Sequence, residues 1–153
     1  MNIRSYDNQV RARVLASIER IARGESIAAE SPREPDFEYY DQFPLTSNDA
    51  GVTERVRAAF TARFGADAVH SAERQTASED FSRIPDAFGV PYTYWLLGGC
   101  DAEAYRAAAL RGTVAQDIPA NHSPLFAPVV DPTLSTGVQA QVVAARAYLD
   151  KDA

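Results

Sequence analysis

Cysteine is nearly absent from this chain, with Cys100 the single thiol in 153 residues. An internal disulfide is therefore excluded, and the composition fits a reducing compartment, so the expected location is cytoplasmic. Histidine is almost as scarce: with only His70 and His122, a metal site built from these residues would have to lean on carboxylates. Long apolar runs are missing too. None approaches the roughly 20 residues of a membrane span, and residues 1–30 are charged and amphipathic, without the apolar stretch of a signal peptide. Positive charge is in deficit, 15 Lys+Arg against 21 Asp+Glu for a net charge of −6, which argues against nucleic-acid or anionic-membrane partners. What is present, 46% hydrophobic and 24% charged residues, is the composition of an ordinary globular protein long enough to bury a core.

The hydrophobic pattern predicts an alternation of strands and helices. Residues 1–6 read as a short strand, and Asp7 as the N-cap of a helix in which Val10, Val14, Ile18 and Ile21 recur at helical spacing. Gly24 could stop that helix, while Ile27, Ala28 and Ala29 carry the pattern another turn. After the breaker Ser31-Pro32-Arg33-Glu34-Pro35, the alternation around Phe37 and Tyr39 reads as a half-exposed strand, completing a β-α-β unit. Pro44 to Asp49 breaks the pattern again and suggests a boundary, giving expected domains of residues 1–43 and 44–153. Asn48 or Asp49 caps a second helix carrying Val52, Val56, Ala59 and Phe60, with Gly65 as its stop. Residues 68–71 read as a short strand, and residues 91–97 as the strongest one, apolar or aromatic almost throughout and so expected inside a sheet. An Ala-rich helix over residues 101–110 and a final helix carrying Leu134, Val138, Val142, Ala145 and Leu149 follow. Between them lies a long polar stretch, residues 112–132, stiffened by Pro119, Pro124, Pro128 and Pro132.

Few residues suggest chemistry by themselves. His122, in the proline-stiffened stretch, has the side chain of a metal ligand or general base, and equally that of a solvent-facing loop histidine. Ser78, Glu79 and Asp80 fit a helix start, with Ser78 as N-cap and the acids complementing the dipole. Ser78, His70 and Asp80 have the residue types of a triad, but no nucleophile-elbow pattern surrounds the serine. Gly98-Gly99 lacks the lysine of a phosphate loop, and Cys100 lacks a CxxC partner.

Taken in order, five runs form a series: Ala77-Ser78-Glu79-Asp80-Phe81-Ser82, Gly89-Val90-Pro91, Trp95-Leu96-Leu97-Gly98-Gly99, Asn121-His122-Ser123-Pro124-Leu125-Phe126, and Pro132-Thr133-Leu134-Ser135-Thr136-Gly137. The series resembles the C-terminal end of the aminoacylase / hippurate hydrolase / glutamate carboxypeptidase family of zinc amidohydrolases. Upstream, Ile3-Arg4-Ser5-Tyr6-Asp7, the arginine-rich helix, the Glu38-Tyr39 strand and Pro44 with Asn48-Asp49 resemble that family's passage from its lid (dimerisation) domain back to its catalytic domain. The resemblance covers essentially the whole chain, which in turn covers only the last part of the family's usual length.

The resemblance implies an α/β fold: the last β-α-β unit of the lid, then the C-terminal part of a metallopeptidase-type catalytic domain. It implies hydrolysis of small-molecule amides such as N-acyl amino acids by metal-activated water, with zinc or another divalent ion as cofactor. It assigns His122 as one terminal metal ligand and places Arg4, Ser78 and Glu79 beside the substrate. The other ligands and the general base have no counterpart here, so no catalytic residue is expected in this chain. The implied reading is a partial family member, inactive alone. The alternatives are a non-catalytic remnant or association module, or one half of a split enzyme. A homo-oligomer, or association with a missing N-terminal half, is expected because the β-α-β unit leaves a sheet edge open. Two departures are visible: Ala77 stands where the family usually has glycine, and the spacing from Phe126 to Asp131 differs from the hippurate hydrolase pattern.

Overall fold

A computed structural model describes residues 1–150, and among them the regular structure is helical. The helices are α1 (Asn8–Ala28), α2 (Ala50–Phe64), α3 (Arg83–Phe88), α4 (Ala102–Arg111), α5 (Val114–Asp117) and α6 (Val130–Leu149), with one 3-10 turn at Ala66–Ala68. None of them is long and apolar enough to cross a membrane.

The α/β expectation is thereby corrected: none of the four segments read as strands, residues 1–6, 37–39, 68–71 and 91–97, belongs to a sheet among the described residues. The physical reason lies in what a strand requires. Alternating or continuous apolar residues give a segment its preference for extended backbone, but a ladder forms only when another strand about 4.8 Å away takes up the N–H and C=O groups. Here a side chain does so at one position. The Asn48 amide donates to the Tyr94 carbonyl at 2.8 Å and accepts from the Tyr94 N–H at 2.7 Å, while the Asp49 N–H donates to the Tyr92 carbonyl at 2.8 Å.

The chain forms two units, Met1–Asp49 with Glu73–Tyr94, and Ala50–Ala72 with the residues from Trp95 onward. In the first, Asp7 caps α1 by accepting from the Val10 N–H at 2.8 Å, and the helix runs through Gly24 to Ala28. Residues 34–42 run back along α1 on polar contacts: Arg23 with Glu34 at 3.0 Å, the Tyr39 hydroxyl donating to Glu19, and Arg11 donating to Gln42 at 3.0 Å. Arg23 also lies 5.1 Å over the Phe37 ring; no residue of α1 is fully buried, and each of these polar contacts is worth little at an exposed surface.

In the second unit α2 packs on α6 around Val56, Phe60 and Ala140. Phe60 meets Phe64 and Trp95 edge to face, with centroids at 5.8 and 5.4 Å. Arg55 lies 4.4 Å over the Tyr148 ring, and Arg63 donates to Gln139 across the same pair of helices. Alanine at 140 and 147 lets the two helices approach, whereas Leu134, Val138, Val142 and Leu149 on α6 stay more than half exposed. Asp101 caps α4 through the N–H groups of Glu103 and Ala104, and Gly112, at φ 70°, ends it with the left-handed turn that glycine adopts without strain.

Candidate functional site

His122 belongs to the second unit and sits on a turn that its neighbours fix from both sides. The Ser123 N–H donates to the Ala120 carbonyl at 3.0 Å, closing a four-residue turn with Asn121 and His122 at its tip. His122 has φ 69°, a left-handed conformation that histidine, asparagine and aspartate tolerate better than most residues. The Ser123 hydroxyl accepts from the Leu125 N–H at 3.2 Å and the Ser123 carbonyl from the Phe126 N–H at 3.0 Å, so the chain folds back at once after the histidine. Further along, the Val129 N–H donates to the Gly99 carbonyl at 2.9 Å. Pro128 there lies 3.3 Å from where a Cβ on Gly99 would stand, a close approach that favours glycine at 99. The result is an exposed imidazole on a short, internally bonded loop between α5 and α6.

Arg4, Ser78 and Glu79 come together in the first unit. Arg4 donates to the Thr76 carbonyl and, at 3.2 Å, to the Ser78 hydroxyl. The Glu79 carboxylate accepts three hydrogen bonds: from the Tyr94 hydroxyl at 3.0 Å on one oxygen, and from the N–H groups of Asp80 at 3.0 Å and Phe81 at 3.1 Å on the other. The Tyr94 bond first, then the backbone bonds, hold the Glu79 carboxyl below the usual glutamate range. Partial burial, followed by the hydrogen bond to Glu79, pushes the Tyr94 phenol up. Phe81 packs against both Tyr92 and Tyr94, with centroids at 5.7 and 5.2 Å, and so joins this turn to the segment that Asn48 brackets.

The expected helix start at Ser78 is displaced. The N-cap of α3 is Ser82, four residues later, because Glu79 has already taken the N–H groups of the turn. Ser82 is fully buried, and its hydroxyl has no hydrogen-bond partner among the described residues. Two functional-looking residues, Tyr94 and Asn48, escaped the sequence reading. Tyr94 was indistinguishable from the other aromatic residues of its apolar run, and Asn48 carried the signal of a helix cap.

His70 and Cys100 are both exposed. Among the described residues no three of His, Cys, Asp and Glu converge where a metal ion could be held. One imidazole does not make a catalytic zinc site, which needs about three protein ligands. The residues present therefore do not fit a resident zinc by themselves. No family model matches the chain.

Proposed function

We propose that this chain carries part of a metal-dependent amidohydrolase of the aminoacylase / hippurate hydrolase / glutamate carboxypeptidase type. It contributes one terminal metal ligand, His122, and has no turnover of its own. The observation that supports this most is the presentation of His122: an exposed imidazole at the tip of a turn, in left-handed backbone, with the loop bonded to itself on the C-terminal side and to Gly99 beyond. A ligand loop needs a side chain held out from a backbone that does not wander, and prolines at 119, 124 and 128 serve the same end. Arg4 and Ser78 fit the polar side of a substrate site, where a cation and a hydroxyl would face an acyl amino acid. Glu79, with its carboxylate occupied by three donors, fits the role of anchoring the turn that follows Ser78.

Calorimetric titration of the purified chain with zinc, alongside an assay on N-acetyl and N-benzoyl amino acids, tests the reading. The expected result is weak zinc binding that His122→Ala removes, and no turnover. Zinc-dependent hydrolysis by the chain alone, abolished by His122→Ala, overturns the claim of inactivity. Zinc binding indifferent to His122→Ala overturns the ligand assignment. Coding DNA upstream of Met1 that continues, in frame or shifted, into further His, Asp and Glu ligands is the inexpensive companion observation.

A further inference from the structure

Residues 34–42 cross α1 as a strap with no regular structure of its own. Among the described residues, the one backbone group of residues 34–41 in a hydrogen bond is the Phe37 N–H, which donates to the Asp36 carboxylate beside it. The carbonyls at the two ends are held: that of Arg33 by the hydroxyls of Ser26 and Ser31, that of Gln42 by Arg83. Between them the strap rests on side chains alone. Arg23 pairs with Glu34 at 3.0 Å and lies over Phe37, Tyr39 donates to Glu19, and Arg11 donates to the Gln42 side chain. On the helix, Arg11, Glu19, Arg23 and Ser26 fall on the face that also carries half-buried Leu15, Ile18 and Ala22.

Strap and helix are complementary in charge. Residues 34–42 carry Glu34, Asp36, Glu38 and Asp41 and no basic residue, whereas α1 carries four arginines against two glutamates. Attraction between exposed groups of this kind follows the ionic strength, because the screening length falls from about 30 Å at 0.01 M salt to about 3 Å at 1 M. The Glu34 side chain is 87% exposed, so its pairing with Arg23 has no shelter from salt. The backbone also favours release. Glu30, just before the strap, and Asp41, near its end, both have φ 48°, a left-handed conformation that a residue with a side chain holds at some cost. Segments with few buried contacts and an unbonded backbone are the ones that open locally while the rest of a fold stays intact.

We propose that residues 34–42 are an electrostatic latch, closed on α1 at low ionic strength and released at high ionic strength by turning at Glu30 and Asp41, with α1 remaining helical. Arg23 is its pin, because it holds two strap residues, Glu34 and Phe37, at once. Release takes the strap off the face of Leu15, Ile18 and Ala22, so the availability of that face follows the salt concentration. The latch makes no use of His122 or of a metal, and it stands whether or not the chain is part of an amidohydrolase.

Limited digestion of the full chain with chymotrypsin tests the proposal. Cleavage after Phe37, Tyr39 and Tyr40 reports the open strap, and cleavage after Tyr105 in the second unit corrects for the effect of salt on the protease. The corrected rate is expected to rise about fivefold between about 0.02 M and 0.5 M NaCl, with the helical circular dichroism unchanged. Arg23→Gln should cleave fast already at low salt and respond little to more. Arg23→Lys, which keeps the charge, should remain salt-responsive. In the wild type, the nuclear Overhauser contact between the Arg23 side chain and the Phe37 ring should be present at low salt and lost at high salt. A wild-type rate indifferent to salt, or Arg23→Gln as slow as the wild type at low salt, overturns the latch. Arg23→Lys behaving as Arg23→Gln overturns its electrostatic basis, and faster cleavage accompanied by loss of helical signal assigns the opening to unfolding of α1 and overturns it as well.

Discussion

Asn48 does for Tyr94 what a neighbouring strand residue would do: its side-chain amide donates to the Tyr94 carbonyl at 2.8 Å and accepts from the Tyr94 N–H at 2.7 Å. A primary amide carries one donor and one acceptor side by side, as a peptide group does, so it can close both bonds of one ladder position. Asn48→Ala should therefore open Tyr94 to solvent and speed exchange of its amide by about tenfold, the equivalent of about one net hydrogen bond. Asn48→Asp retains the acceptor but sets a carboxylate against the Tyr94 carbonyl, and should cost at least as much. Exchange at Tyr94 unchanged in both variants would refute the pairing.

The Glu79–Tyr94 bond makes two predictions of opposite sign in pH. Glu79 has its carboxyl held below the ordinary 4.5, so its contribution to stability is present above that value and lost as pH falls through the lowered one. Tyr94 has its phenol pushed above the ordinary 10.0, so its contribution is complete below that value and lost as pH rises through the raised one. Tyr94→Phe removes the largest cause at Glu79, and a carbon-detected NMR titration of the Glu79 carboxyl should show its midpoint rise. An unmoved midpoint would assign the lowering to the backbone donors alone.

Two glycines should respond in opposite directions. Gly99→Ala places a methyl 3.3 Å from Pro128 Cβ, on a ring with little room to turn, and should loosen the Val129-to-Gly99 bond at a cost of about 1 kcal/mol. Gly137→Ala meets only the end of the Leu97 side chain, which can rotate, and gains helix propensity within α6 of up to about 1 kcal/mol. Urea unfolding with exchange at Val129 separates the two. Destabilisation by both would mean that Leu97 is more tightly held than its partial exposure implies.

Ser82→Ala should stabilise the chain. The hydroxyl is fully buried without a partner and makes no capping bond to α3, so its removal relieves a desolvation cost of about 1 kcal/mol and gives up no hydrogen bond. A lower unfolding midpoint in the variant would show that the hydroxyl has a partner after all.

The longer helices were legible in the sequence because their signals are local, whereas the short α5 (Val114–Asp117) lies inside the stretch read as a polar connection. Asp7 and Asp101 cap where a short polar side chain precedes an apolar period, and Gly65 and Gly112 follow the helices that they end. The sheet was misread because a strand is a property of two segments. Residues 91–97 have every preference for one, yet whether a ladder forms depends on a neighbour that the period of this segment cannot reveal. The candidate site divides in the same way. His122 could be singled out from its prolines, whereas the clustering of Arg4 with Ser78, and of Glu79 with Tyr94, joins residues far apart in the chain, and no spacing rule reaches that far.

Because the first unit takes residues 1–49 and 73–94 and the second takes the rest, the two are threaded through one another in chain order. No single cut separates them. Assembly of the first unit must close a loop over residues 50–72, an entropic charge of about 3 kcal/mol if that loop is random coil. Fifteen of those residues are α2, so with the helix folded at most the other eight residues of the loop contribute flexible chain to its closure. A substitution that melts α2 therefore taxes the closure of the first unit through the backbone, and damage is transmitted by connectivity with no contact required to carry it.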